Sequence, residues 1–122
     1  MPRSLRPDAP AVFKEAASAG ARDPRAVERS RRLLLPLTAA DAERDGTLCA
    51  TLRTYYANGG SITNTAEAMF LHRNSVRYRL DRVRSVLGID IDHPENAAAL
   101  LMAFAILDAA TQVEGGHAAL GA

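Results

Sequence analysis

The residues with the most chemistry to offer lie between positions 71 and 84, where Arg73, Arg77, Arg79, Arg82 and Arg84 stand against a single acid, Asp81, for a local charge of +4. A guanidinium group is planar and holds its donors in a fork that fits phosphate oxygens and the edge of guanine. His72, Asn74, Ser75 and Tyr78 lie among these arginines and add polar groups that could reach a base edge. No other stretch has such a field. Residues 1–45 carry nine basic and seven acidic groups, residues 46–70 carry one of each, and residues 85–122 carry five acids with no Lys or Arg. The net charge of +1 therefore conceals one strongly positive segment. Fourteen of the 15 basic residues are arginine, a bias that nucleic-acid contact and genome composition explain equally well.

Other chemistries find little support. His72, His93 and His117 are scattered, with no Cys, Asp and Glu set at ligand spacing, so no metal site is expected. Cys49 is the single cysteine and has no charged activator beside it in sequence, which describes an inert thiol. Asp90 and Asp92 read as a turn and a helix cap, and Tyr55 and Tyr56 as core. No glycine-rich phosphate loop follows a strand. Neither an enzyme nor a bound cofactor is expected.

The elements that must position the arginines are helical. A length of 122 residues fits one ordinary domain, and 24 alanines within the 48% hydrophobic fraction favour helix while contributing little buried area. The prolines fall at 2, 7, 10, 24, 36 and 94, leaving a long proline-free stretch that Gly46, Gly59-Gly60 and Gly88 divide. Residues 1–22 read as a flexible arm with one short helix around Val12 to Ala17. Asp23-Pro24 starts a helix that Pro36 is expected to stop. Leu48, Leu52, Tyr55 and Tyr56 form the stripe of a further helix. A short one follows, capped by Thr63 or Asn64, with Glu67 completing a capping box for the latter and Ala66, Met69 and Phe70 on its apolar side. Val76, Leu80, Val83 and Leu87 mark one face of a helix that begins near Arg73 or Asn74 and ends at Gly88. Asp92-His93-Pro94-Glu95 announces a last helix to about Ala110, capped by Asp92 and apolar nearly all round.

Two short helices joined by a tight turn, the second with arginines outside, describe a helix-turn-helix DNA reader. Val76 and Leu80 can pack on Ala66 and Met69, leaving Arg73, Asn74, Arg77, Asp81 and Arg84 on the outer side with Tyr78 and Arg79 on the flanks. Residues early in the second helix reach base edges, and later ones tend to meet phosphates. The base-reading candidates are therefore His72, Arg73, Asn74, Ser75, Arg77 and Tyr78. Thr63, Asn64, Arg79, Arg82 and Arg84 are the phosphate candidates.

The run from Gly59 to Leu80, above all His72-Arg73-Asn74-Ser75-Val76-Arg77-Tyr78-Arg79-Leu80, closely resembles the C-terminal helix-turn-helix of PucR-type bacterial transcription regulators. It also resembles the DNA-binding end of the Fis and NtrC group. The first likeness extends from about Leu33 to about Leu107 and covers bulky residues in the turn, here Phe70 and Leu71. Members of the resembled family usually carry a regulatory domain upstream, for which residues 1–32 are too short. The chain is then either the C-terminal piece of a longer regulator or a stand-alone binder.

The resulting expectation is an all-α bundle of four to five helices containing a Fis-like helix-turn-helix. Its parts would be a flexible arm (1–22), a linker helix and loop (23–45), the DNA-binding domain (46–110) and a disordered tail (111–122). Double-stranded operator DNA is the expected partner. A homodimer with recognition helices about 34 Å apart would match an inverted-repeat site. Leu100, Leu101, Phe104 and Leu107 are the interface candidates, although the helix that bears them could equally cap the core. A protein-interaction module of helix-turn-helix shape and low-specificity nucleoid binding are the alternatives. The location expected is the cytoplasm, at the nucleoid, since no signal peptide opens the chain and its longest apolar run, 97–107, is too short for a membrane span.

Overall fold

The structure, a computed structural model, describes residues 8–44 and 46–121, with side chains through Gln112. Among the described residues there are six helices and no strand: α1 (Ala9–Ala21), α2 (Pro24–Glu43), α3 (Leu48–Ala57), α4 (Ile62–Met69), α5 (Arg73–Leu87) and α6 (Pro94–Gly121). The described residues are all-α, as the sequence indicates, with more helices than the four or five anticipated. Contacts divide it into one unit of residues 1–31 and 102–122 and another of residues 32–101.

In the first unit α1 is longer than the short helix expected within the arm. Asp8 Oδ1 accepts from the Ala11 amide at 3.2 Å, and a proline follows in the first turn. Gly20 permits a close helix approach, because a Cβ there would lie 2.7 Å from Ile106 Cδ1. Ala17, Ala103, Phe104 and Ile106 are buried in this unit. The backbone of α6 continues past Ala110, where the sequence suggests a disordered tail. Side chains 113–121, including His117, and residues 1–7 of the expected arm lie outside the described residues.

In the second unit α3, α4 and α5 pack on one another in all three pairs. Val76, Leu80 and Val83 are fully buried, so the inner face read from spacing is the inner face observed. Leu34, Leu37, Leu52, Ile91 and Leu100 complete much of this core.

Four local expectations need correction. Pro36 does not stop α2, which runs on to Glu43. A proline inside a helix costs about 3 kcal/mol, and burial of Leu34 and Leu37 on either side, worth about 1.5–3 kcal/mol each, offsets it. The cap of α4 is Ser61, whose Oγ accepts from the Asn64 amide at 3.1 Å, so Thr63 and Asn64 lie in the first turn and Glu67 is too far along for a capping box. Phe70 is 95% exposed and does not join Ala66 and Met69. The Leu71 amide reaches back to the Ala66 carbonyl at 2.9 Å, which puts Phe70 in the left-handed region at φ 56° and turns its ring outward. Asp92 does not cap α6 either: His93 stands before Pro94, its carbonyl accepting from Ala97 at 2.8 Å and its Nδ1 from the Glu95 amide at 3.3 Å.

Candidate nucleic-acid interface

Helix α5 is capped by His72, whose Nδ1 accepts from the Asn74 amide at 3.1 Å. It ends at Gly88, left-handed at φ 68° and bonded through its amide to the Arg84 carbonyl. With its inner line buried, 3.6 residues per turn fixes the rest. Asn74, Tyr78, Asp81 and Ser85 form the outermost line, and all four are exposed, Tyr78 by 63%. Tyr78 thus stands in the middle of the outer face rather than on its flank.

The arginines divide between the two sides of that line. Arg73 and Arg77, both exposed, share one flank with Arg84. Arg84 donates from Nη1 to Asp81 at 3.0 Å and from Nη2 to Asp92 at 3.1 Å. Burial alone would lower the Arg84 pKa, but the bond to Asp92 and the carboxylate charge outweigh it and leave the group raised. The other flank carries Arg79 and Arg82, both part-buried, beside an open groove of about 520 Å³ whose far wall includes Ala40, Asp41, Arg44 and Thr47.

Two tyrosines of α3 anchor the segment that follows α5. Tyr55 donates to Asp92 Oδ1 at 2.7 Å, and Tyr56 donates to the Ile91 carbonyl at 2.8 Å. Burial, then the Asp92 bond, raises the Tyr55 pKa, while Tyr56 is pushed up to about 12 by burial and the negative charge of Asp92. Asp90 makes the turn expected of it, accepting from the Asp92 amide at 2.9 Å. Asp92 thereby links α3 to one flank of α5. At the start of α3, Asp41 accepts from the amides of Leu48 and Cys49 at 2.8 and 2.9 Å. Burial and the Asp41 carboxylate push the Cys49 thiol up to about 12, so it is protonated at neutral pH.

The base-reading candidates from His72 to Tyr78 form one exposed surface apart from buried Val76. Thr63 and Asn64 are exposed at the start of α4. The dimer candidates all lie on α6: Leu100 is buried in one unit and Phe104 in the other, Leu107 is half-buried, and Leu101 is 39% exposed. Sequence reasoning missed the place of Arg44 in the groove wall and the Tyr55–Asp92–Arg84 link, both of which depend on segments distant in sequence and follow no helical period. Phe70 left a trace, a bulky residue where a turn favours glycine.

No helix among the described residues is long and apolar enough to cross a membrane, and none of their His, Cys, Asp and Glu side chains group in threes that could hold a metal ion. The PucR C-terminal helix-turn-helix domain family matches residues 48–106. A protein in the pkwA 5′ region of Thermomonospora curvata is 47% identical over 66 residues, covering 54% of this chain and 36% of that protein. A Bacillus subtilis protein, YsfB, is 34% identical over 65 residues, 53% of this chain and 18% of its own. The purine catabolism regulatory protein of Bacillus subtilis is 34% identical over 61 residues, 50% of this chain and 12% of its length. The chain thus spans about a third or less of these relatives. No solved structure gives a significant match. Residues 48–106 therefore belong to the PucR C-terminal helix-turn-helix family, a type of DNA-binding transcription-regulator module.

Proposed function

We propose that the chain is the operator-binding part of a bacterial transcription regulator, and that α5 enters the major groove of double-stranded DNA. The observation that carries this reading is the exposed cationic surface at the start of α5, backed by a fully buried inner face. His72, Arg73, Asn74, Ser75, Arg77 and Tyr78 read base edges. Thr63, Asn64, Arg79 and Arg82 meet phosphates. Arg84 can do so only by leaving its two carboxylates, so its chief role is to hold the helix in place.

In this reading residues 46–110 form the DNA-binding domain, and two copies bind an inverted repeat in the cytoplasm. Of the interface candidates, Leu101 is the most exposed apolar side chain and the natural point of contact. The test is selection of bound sequences from a random DNA pool, followed by Arg77→Ala on the enriched site. An inverted repeat should emerge, and the variant should lose about 1–3 kcal/mol of specific binding with its fold intact. An A·T-rich preference without a consensus would point to nucleoid binding, and no enrichment would sink the regulator reading in favour of a protein partner.

A further inference from the structure

The groove beside Arg79 and Arg82 is walled by two segments that lie far apart in sequence, the end of α2 with its following loop and the flank of α5. Three guanidinium groups line it, those of Arg44, Arg79 and Arg82. None has a carboxylate partner among the described residues. The one acid among the described lining residues, Asp41, already has both carboxylate oxygens bonded to the amides of Leu48 and Cys49. The described lining is therefore cationic on balance, three guanidinium groups against one carboxylate that is already hydrogen-bonded.

Its position matters as much as its charge. An α-helix with side chains is about 10–12 Å across and fills a major groove about 12 Å wide, so a phosphate backbone runs along each flank of an inserted helix. Ser75, Tyr78 and Arg79 belong to the groove wall and also to the surface assigned to DNA. We infer that this groove seats the phosphate backbone of one DNA strand, with Arg44, outside the helix-turn-helix, closing on it from the side opposite Arg79 and Arg82. The inference rests on the DNA-reading function proposed above. An open channel suits a polymer running through it, whereas small-molecule sites enclose most of their ligand.

The test uses the full chain and two duplexes, one carrying the enriched sequence and one scrambled, with binding followed by fluorescence anisotropy from 50 to 200 mM salt. Arg44→Ala should weaken both duplexes alike, by about threefold to tenfold, and reduce the slope of log affinity against log salt by about 0.9, the value of one phosphate contact. Arg44→Lys should restore most of the slope. Ala40→Glu, which adds a carboxylate to the same wall, should weaken both duplexes at least as much, and circular-dichroism melts should show all three variants folded. Unchanged affinity and slope in Arg44→Ala, with discrimination still lost in Arg77→Ala, would overturn the groove and leave the DNA-reading function standing. A loss confined to the enriched duplex would overturn it as a backbone seat, as would triphosphate binding that depends on Arg44 while DNA binding does not. Failure of the wild-type chain to bind either duplex at low salt would overturn both readings.

Discussion

On one flank of α5, Arg84 is tied to Asp81 and Asp92, and through Asp92 to Tyr55; on the other, Arg79 and Arg82 border open space. The same residue type thus does two kinds of work on one helix. A guanidinium bonded to carboxylates has its charge largely met within the chain and holds structure. One without such a partner keeps its field for a ligand. The +4 of the segment consequently overstates what DNA would meet, since Asp92, outside that segment, bonds to Arg84 from the following loop.

The largest effect that would break this contrast is on the tied flank. Asp92→Ala removes the bonds to Tyr55 and Arg84, and urea unfolding should show a loss of about 1–2 kcal/mol, partial solvent exposure keeping the value below that of a buried pair. No loss would mean that the link carries nothing.

The next test is alkaline. A tyrosine has a pKa of about 10 when unfolded, and Tyr56 is held at about 12 in the fold. The folded state therefore keeps its phenol proton more firmly. That contribution is complete below pH 10 and is lost as pH rises towards 12. Unfolding free energy should decline across this window, and less steeply in Tyr56→Phe. The smallest expected effect sharpens the contrast from the open flank: Arg82→Ala should change unfolding free energy by no more than about 0.5 kcal/mol while weakening DNA binding. A substantial loss of stability there would erase the distinction between the flanks.

The sequence makes part of this legible. Val76, Leu80 and Val83 reveal the inner face of α5 because burial there follows the helical repeat, and Gly88 marks the end because a left-handed residue is needed. Caps are harder to read. Ser61, Thr63 and Asn64 are all competent cap residues, and only the path of the chain out of Gly59-Gly60 selects the first. Asp92 looks like a cap, yet its carboxylate meets a tyrosine 37 residues away, a pairing that no local pattern encodes. Pro36 misleads because the burial that outweighs it depends on tertiary packing. Phe70 shows the opposite failure, an apolar side chain that packing leaves out. Its left-handed backbone costs roughly 1–2 kcal/mol while its ring stays in water.

The bonds from Asp41 to the start of α3 also bear on the order in which the molecule assembles. They close a loop of only seven or eight residues, whereas the Tyr55–Asp92 bond spans 37. Loop-closure entropy grows with the logarithm of length, so the shorter ring forms at a saving of roughly 1.5 kcal/mol. On loop-closure entropy alone, the corner between α2 and α3 is expected to form ahead of the tie from Tyr55 to Asp92 that holds one flank of α5.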